Sequence, residues 1–394
     1  MTNEVKNVPE LRFSDFSDEW EEKKLEDLLK FNNGVNASKE QYGTGIKFIN
    51  VLDILNTNFI TYDKIIGRVN VSKAVENRNK VEYGDILFLR SSETREDVGM
   101  CNVYLDREKH SLYGGFIIRG KKIGEYSPFF LKILLNNSKA RKSISSLAGG
   151  STRFNVSQDI LKVVGILVPK MNEQIKIGDF FSKLDRQIEL EEQKLSLLEE
   201  QKKGYMQKIF SQELRFKDES GNEYPEWEEK KLFDVVKYLS SKRSSNYYSE
   251  DIIHGQYPVY DAVQEISRDT NFDIEESYIS ILKDGAGVGR LNLRPGKSSV
   301  IGTMGYLLPQ NIDIKFLFYY LKTMNFNRFV IGSTIPHLYF KDYSKETILI
   351  PIDKSEQIKI GSFFRKLDSI INNKAKKIKV LKQRKQGFLQ KMFI

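Results

Sequence analysis

The sequence predicts an α+β protein in which two pseudo-repeated mixed α/β bodies are joined by two long helices that form a coiled coil. Residues 173–185 recur as residues 356–368 with Glu-Gln-Ile-Lys-Ile-Gly, Phe-Phe and Lys-Leu-Asp retained, and residues 204–210 recur as 387–393. Between these landmarks, short β-prone runs alternate with short helical runs, as in mixed domains of about 150 residues. Self-similarity over this distance indicates a duplicated unit.

Both repeated segments carry the pattern of a long helix. Apolar side chains recur in steps of four and three residues, which is the spacing of a coiled-coil seam. At about 1.5 Å per residue, residues 173–210 form a rod of roughly 57 Å. We expect the seam to contain Phe181, Leu184, Ile188, Glu191, Leu195, Leu198 and Tyr205 of the first helix and Phe364, Leu367, Ile371, Lys374, Ile378, Leu381 and Phe388 of the second.

The charges of the two helices predict that they pair with each other. Residues 356–393 carry mostly Lys and Arg, whereas residues 173–210 carry acidic and basic side chains in similar numbers. At one equivalent seam position the first helix has Glu191 and the second has Lys374. Mutual pairing therefore joins opposite charges, while self-pairing joins like charges. The alternative is two amphipathic helices that each pack on their own domain.

A second pair of landmarks precedes the two bodies. Leu-Arg-Phe at residues 11–13 and Trp-Glu-Glu-Lys-Lys-Leu at 20–25 recur at residues 214–216 and 227–232. The first long helix runs directly into the second entry segment, so the repeat is cyclic in order, which predicts that the two ends of the chain lie close together. We divide the chain into a first body (1–168), a central helix (169–212), a second body (213–351) and a C-terminal helix (352–394).

The composition favours a protein that binds an acidic partner in a reducing compartment. The chain of 394 residues has a formal net charge of +9, and nucleic acid is the commonest partner of basic surfaces. A single cysteine excludes a disulfide framework. The polar N-terminus is not a signal peptide, and no apolar run approaches the ~20 residues that cross a bilayer. We expect a cytoplasmic protein without a membrane partner.

The sequence lacks recognisable catalytic and metal-binding motifs. The glycine-rich run at residues 285–289 does not have the G-x-G-x-x-G spacing, and a strand-to-loop turn is the better interpretation. Residues 296–298 resemble the end of a P-loop, but Leu291 stands where that motif requires glycine. The three histidines are dispersed and Cys101 has no second cysteine to share a zinc ion. We expect no catalytic residue, no metal ion and no cofactor bound by this chain.

Polar and basic loops in both bodies carry the side chains that contact base edges and phosphates in DNA. We predict DNA contacts from Arg90, Ser91, Ser92, Thr94, Arg95, Thr152, Arg153 and Asn155 in the first body, and from Lys242, Arg243, Lys283, Arg290, Ser333, Thr334, His337 and Lys341 in the second. For any one of them alone, a solvated surface side chain is the alternative.

The duplicated helices, the Gly-Ser-Thr segments at residues 150–152 and 332–334, and the Trp-Glu-Glu-Lys-Lys-Leu entries together resemble the specificity (S) subunit of type I restriction–modification systems. The resemblance covers nearly the whole chain. It implies that each body is a target recognition domain for one half of a bipartite asymmetric DNA site. It further implies that the helices set the spacer and dock two methyltransferase subunits, which bind S-adenosylmethionine. Endonuclease/translocase subunits, which use ATP and Mg, join to make the restricting complex.

A single duplex read by both bodies requires the helices to run antiparallel about a pseudo-two-fold axis. The register that uses both helices fully pairs Phe181 with Phe388, and likewise Leu198 with Ile371 and Tyr205 with Phe364. One departure between the repeats is Pro336, which has no counterpart after residues 150–152.

Two other functions compete with this interpretation. One is a non-catalytic scaffold whose two domains and coiled-coil rods bridge proteins, with incidental basic charge. The other is an orphan DNA methyltransferase, which is disfavoured because the chain contains no Asn-Pro-Pro or Asp-Pro-Pro. Salt-dependent binding to duplex DNA, with and without a methyltransferase partner, distinguishes them.

Overall fold

The computed structural model describes residues 7–56, 58–248 and 255–394. The chain divides into two compact units: unit 1 comprises Met1–Glu192 with Lys377–Ile394, and unit 2 comprises Gln193–Lys376. Each unit therefore contains one mixed body and a part of both long helices.

Unit 1 is built from short strands and short helices that precede a helix of 40 residues. Its strands are β1 (Glu21–Lys24), β2 (Leu29–Asn33), β3 (Tyr42–Ile49), β4 (Arg68–Val69), β5 (Ile86–Leu89), β6 (Ser91–Ser92), β7 (Cys101–Val103), β8 (Leu112–Tyr113), β9 (Ile117–Lys122), β10 (Phe154–Asn155) and β11 (Gly165–Val168). Its helices are α1 (Leu25–Leu28), α2 (Val51–Leu55), α3 (Lys73–Asn79), α4 (Pro128–Asn136), α5 (Ser138–Ser146), α6 (Gln158–Lys162) and the first long helix α7 (Met171–Phe210), which continues into unit 2.

Unit 2 has strands and helices in a closely similar order. Its strands are β12 (Trp227–Lys231), β13 (Val236–Ser240), β14 (Tyr257–Tyr260), β15 (Glu265–Asp269), β16 (Tyr278–Leu282), β17 (Leu291–Arg294), β18 (Ser299–Val300), β19 (Met304–Pro309), β20 (Val330–Ile331), β21 (His337–Leu338) and β22 (Thr347–Pro351). Its helices are α8 (Leu232–Val235), α9 (Ile314–Leu321), α10 (Phe340–Tyr343) and the second long helix α11 (Lys354–Lys391), which ends in unit 1.

The two units share one sheet topology. A four-stranded antiparallel sheet has the order β2-β9-β5-β7 in unit 1 and β13-β19-β16-β17 in unit 2. A three-stranded sheet with one parallel pair accompanies it in each unit, β4-β3-β8 and β15-β14-β18. An antiparallel pair joins the entry strand to the strand before the long helix, as β1-β11 and β12-β22. The predicted duplication and α+β class are therefore confirmed.

The hydrophobic core of each unit lies between its four-stranded sheet, one medium helix and the start of a long helix. In unit 1, Phe88 of β5 and Phe130 of α4 are fully buried in the same cluster as Phe181 of α7. In unit 2, Ile279 of β16 and Phe316 of α9 occupy the corresponding places. Strands β5 and β16 are buried at every position, on both faces of the sheet, which explains why they read as nearly continuous apolar runs.

The Glu-Gln pair at the start of each long helix fixes the helix to its own body. The Glu173 carboxylate accepts two hydrogen bonds from Arg12, at 2.7 and 2.6 Å, and Glu356 accepts two from Arg215, at 3.3 and 2.8 Å. The following glutamines, Gln174 and Gln357, each accept from the backbone N–H that begins α4 or its counterpart α9 and donate to a proline carbonyl. The repeated Arg and Glu-Gln landmarks therefore close one entry segment onto one helix in each unit.

The cyclic order predicted from the repeats is visible in unit 1. The Leu11 N–H donates to the Lys391 carbonyl at 2.8 Å, and the Trp20 ring packs edge-on against Phe393. In unit 2 the continuous chain makes the equivalent bond, from the Leu214 N–H to the Lys208 carbonyl at 3.1 Å. The two ends of the described chain therefore lie close together. The first entry segment contacts the end of α11 in the same way as the second entry segment contacts the end of α7.

Two glycines in the long helices permit close packing. An added Cβ at Gly361 would lie 2.7 Å from the Lys315 Cβ and 2.8 Å from the Phe316 nitrogen, and Gly178 faces the equivalent end of α4. The start of α9 therefore rests directly on the backbone of α11. By contrast, a Cβ at Gly387 would meet no atom of the described residues within 4 Å.

We expect Gly361→Ala to destabilise unit 2 by up to about 2 kcal/mol. Overpacking against the backbone of α9 costs roughly 1–3 kcal/mol, and the better helix propensity of alanine offsets about 1 kcal/mol of it. The matched control Gly387→Ala adds only the propensity gain, so it should raise stability by about 0.5–1 kcal/mol. Urea unfolding of both variants measures the difference; equal stabilisation by the two substitutions would refute this packing.

The long helices pack in opposite directions within each unit. In unit 1, Asp185 of α7 pairs with Lys385 of α11 at 2.5 Å, and further along α7, Glu191 pairs with Lys377 at 2.9 Å. In unit 2, Lys202 pairs with Asp368 at 2.5 Å. Residue numbers that rise along one helix fall along the other, which is the antiparallel arrangement predicted above.

The seam residues predicted from the sequence are mostly covered. The six that are at least nine-tenths buried are Phe181, Ile188, Glu191, Phe364, Ile378 and Leu381. The half-buried ones are Leu184, Leu195, Leu198, Leu367, Ile371, Lys374 and Phe388, while Tyr205 remains 39% exposed. The ring contacts fall one residue from the predicted pairs, since Phe388 contacts Phe180 and Tyr205 contacts Phe363.

Candidate DNA interface

Two of the loops singled out in unit 1 lie side by side. Strand β6 pairs with β10 in antiparallel register, so that Ser91 is opposite Asn155 and Ser92 is opposite Phe154. The Arg90 carbonyl accepts a hydrogen bond of 3.0 Å from the backbone N–H that follows β10. This short ladder brings residues 90–95 and 152–155 together on one surface, although they are about sixty residues apart in sequence.

Arginines in this unit 1 loop cluster stand over aromatic rings. The Arg95 guanidinium lies 4.8 Å from the centre of the Phe154 ring, and Arg153 lies 5.6 Å from Phe116, a ring that is 57% exposed. Within the described residues neither guanidinium has a carboxylate partner, whereas Arg90 donates to the Gly115 carbonyl at 3.3 Å. The rings hold the cations without neutralising them, and the N–H donors remain available to phosphates or base edges.

The smaller polar residues of the unit 1 cluster have a local role as well. The Thr94 hydroxyl donates to Asp97 at 2.7 Å and its backbone N–H donates to the Ser92 hydroxyl at 3.2 Å. Thr152 is exposed in the turn before β10, and the Asn155 amide donates to the Arg153 carbonyl at 3.2 Å. These bonds order the loops that carry the arginines.

In unit 2 the corresponding surface is a hairpin beside a glycine-rich loop. Strands β20 and β21 pair in antiparallel register, and the turn between them, residues 332–336, carries Ser333 and Thr334. The Leu338 N–H donates to the Lys283 carbonyl at 2.8 Å, and the Gly285 N–H donates to the Pro336 carbonyl at 2.9 Å. The structure therefore brings most of the predicted unit 2 residues onto one surface.

The cations of this unit 2 surface differ in how they are held. Lys341 lies 5.4 Å from the centre of the Tyr339 ring, and Arg290 is exposed at the end of the glycine-rich loop. Lys283 instead contacts the carboxylate of Asp284 at 2.5 Å.

Sequence reasoning missed Asp284 and Tyr339, together with Phe116 in unit 1. Asp284 directly follows a predicted residue, but its other partner, His337, lies 53 positions away in the sequence.

Arg243 is enclosed by acidic side chains and is mostly shielded from solvent. Its guanidinium pairs with Asp269 at 2.5 Å and with Asp273 at 2.8 Å, and its side chain is only 17% exposed. The hydrogen bonds to Asp273 raise the pKa of Arg243 above its ordinary value. The side chain fixes the loop that carries it, while its neighbour Lys242 is exposed to solvent.

The described residues contain no group of three or more His, Cys, Asp or Glu side chains placed to hold a metal ion. Cys101 is buried, and burial raises the pKa of its thiol to about 12, which leaves it unreactive as a nucleophile. Across the part of the chain that the structure covers, the helices are too polar or too short to cross a bilayer.

Two similar units with unlike basic loop surfaces define a modular nucleic-acid recognition protein. The sequence profile of the type I restriction modification DNA specificity domain matches the chain twice, at residues 17–200 and 224–383. The chain therefore belongs to this family, whose members provide the DNA recognition component of the restriction–modification complex and not its catalysis.

Relatives of the chain match over nearly its full length. A putative type I restriction enzyme MjaX specificity subunit from Methanocaldococcus jannaschii is 23% identical over 97% of this chain and 95% of its own. The type I restriction enzyme MjaIX specificity subunit of the same organism is 25% identical over 95% of this chain and 92% of its own. The crystal structure of a type I restriction–modification S subunit from M. genitalium shares the fold, with a TM-score of 0.67 at 18% identity over 98% of this chain and 99% of that one.

Proposed function

We propose that each unit reads one half of a bipartite, asymmetric DNA site. The observation that carries this proposal is that the units share one sheet topology but differ in the loops on it. Arg–aromatic pairs occupy the surface of unit 1, whereas a hairpin with a histidine and a carboxylate occupies that of unit 2. A common frame with unlike side chains is what two readers of different sequences require.

The residues of the two loop surfaces divide by chemistry into base-reading and phosphate-binding groups. Arg95, Arg153 and His337 are supported by a ring or a carboxylate, as a base-reading side chain requires. Exposed Lys242, Arg290 and Lys341 suit phosphate contacts, which contribute affinity without sequence information. The Ser, Thr and Asn side chains that the sequence predicts to contact DNA add hydroxyl and amide groups to both the base-reading and the phosphate-binding groups.

The domain division follows from this function. The first and second bodies, residues 1–168 and 213–351, are the target recognition domains, and residues 169–212 and 352–394 set the length of the unread spacer. The helices also dock two methyltransferase subunits, which bind S-adenosylmethionine, and endonuclease/translocase subunits using ATP and Mg complete the restricting complex. The complementary charges of the seam support a fixed helix pair as the base of this assembly.

Exchange of one body tests independent reading. Replacing residues 14–165 with the corresponding body of a relative should change one half of the methylated motif and leave the other half intact, because the unit 2 loops are untouched. Methylome sequencing of a host carrying the chimera and its methyltransferase partner reads both halves at once. The reciprocal exchange in unit 2 is the control and should change the opposite half; a change in both halves, or in neither, would contradict the proposal.

A further inference from the structure

His337 and Asp284 form a side-chain pair that the backbone holds in place. The His337 Nδ1 and the Asp284 Oδ1 are 2.7 Å apart. The two residues are also opposite each other in an antiparallel β-bridge, which joins the hairpin to the end of β16. The other carboxylate oxygen of Asp284 contacts the Lys283 ammonium at 2.5 Å. The pair is thus fixed from both sides.

The carboxylate decides which ring nitrogen carries a proton. Burial alone would raise the pKa of Asp284, but hydrogen bonds from Lys283 and His337 bring it below its ordinary value. An ionised carboxylate only accepts hydrogen bonds, so the Nδ1 of His337 must be the donor. In the neutral imidazole, Nε2 is then left with a lone pair and acts as an acceptor. The described residues supply no partner for Nε2.

The surface around this pair is exposed and partly apolar. The His337 side chain is 37% exposed and its ring stacks on Tyr339 at an interplanar angle of 17°. Ile331 and Ile335, on the same hairpin, are each more than half exposed. Apolar side chains at the tip of a hairpin, next to Lys341 and Arg290, suit a duplex groove, where thymine methyl groups and phosphates lie together.

Unit 1 presents the opposite hydrogen-bonding character. Arg95 and Arg153, each over an aromatic ring, carry N–H donors and no acceptor. Donors of this kind match the N7 and O6 acceptors of guanine. A fixed acceptor in unit 2 matches a different set of bases.

We propose that His337, held by the positioning residue Asp284, reads one base of the unit 2 half-site by accepting a hydrogen bond at Nε2 from an exocyclic amino group, that of adenine N6 or cytosine N4. This inference rests on the proposed function of unit 2 as a DNA reader. Guanine O6 and thymine O4 present lone pairs at the same edge of the major groove, so they would face the Nε2 lone pair without a proton between them. On the strand that His337 contacts, the half-site read by unit 2 therefore contains a position restricted to adenine or cytosine.

Two variants of the intact complex test the hydrogen-bond direction. His337→Arg replaces the acceptor with donors, so the restricted position should change toward guanine. In Asp284→Asn the amide can either accept from Nδ1–H or donate to Nδ1, which allows both tautomers of His337. Discrimination at that one position should then fall by about tenfold, which corresponds to about 1.4 kcal/mol, while all other positions keep their preference.

Methylome sequencing of hosts carrying each variant with the methyltransferase partner measures the base frequencies. Lys341→Gln is the matched control from the same surface, and it should lower methylation evenly without changing any base preference. A histidine with only a structural role would give a lower melting temperature and an unchanged motif in both test variants, which would overturn the inference. A wild-type complex that methylates no bipartite motif would overturn the proposed function itself.

Discussion

Arg215→Ala is expected to destabilise unit 2 by about 3 kcal/mol, because it leaves a buried carboxylate without its cation. Glu356 is 1% exposed, and its two oxygens accept hydrogen bonds from the Arg215 guanidinium and from the Trp227 indole N–H, the latter at 3.2 Å. Arg215 also donates to the Pro225 carbonyl at 2.7 Å, so its loss opens the entry segment as well.

The measurement is urea unfolding of the full chain followed through tryptophan fluorescence. The control is Lys217→Ala, which removes an ion pair with Glu223 in the same entry region, where both side chains are about 60% exposed. Exposed pairs contribute little, so this control should cost less than about 1 kcal/mol. If Arg215→Ala costs no more than Lys217→Ala, the Arg–Glu pair does not anchor the entry segment.

Lengthening both long helices is expected to lengthen the unread DNA spacer. One heptad inserted after Gln193 and one after Lys376 keeps every seam residue on its face, because seven residues restore the coiled-coil phase. Each helix grows by about 10 Å. At ~3.4 Å per base pair this distance corresponds to roughly three base pairs.

The same insertion has a cost in DNA twist. Three additional base pairs rotate one half-site by about a third of a turn relative to the other. Twisting of the duplex or tilting of the reading units must absorb that rotation, which lowers affinity. The half-site sequences themselves should not change, because both insertions lie in α7 and α11 and no reading loop is altered.

Local pattern and internal repetition were enough to predict the frame of this protein. The spacing of apolar residues by four and three predicted the long helices. The retained Glu-Gln, Phe-Phe and Lys-Leu-Asp segments predicted that the two helices occupy equivalent places in the two units. The purpose of the Glu-Gln segment was not predicted, because Glu173 binds an arginine 161 residues earlier in the chain. The parallel pairings β3-β8 and β14-β18 were also beyond local pattern, since they join strands separated by long crossovers.

The reading surface could be predicted by loop but not by side-chain partner. Residues 90–95 and 152–155 were assigned separately and prove to share a β-ladder. Arg243 was expected to touch phosphate from its basic neighbourhood, but Asp269 and Asp273 enclose it through contacts that no local pattern reveals. His337 was chosen for its position after the Gly-Ser-Thr segment, whereas its hydrogen-bonding direction depends on Asp284 in another loop. These assignments stay predictions until DNA contacts are measured.

Methylome sequencing of a host carrying the double-heptad variant and the methyltransferase partner tests most directly whether two fixed readers share one helix pair. We expect the two half-sites of the wild-type motif to reappear unchanged, separated by about three more unread base pairs. Single insertions in α7 or α11 alone serve as controls and should abolish methylation, because they put the two sides of the seam out of register. An active double-insertion complex whose motif keeps the wild-type spacer would contradict the proposal that the helices set the spacer length.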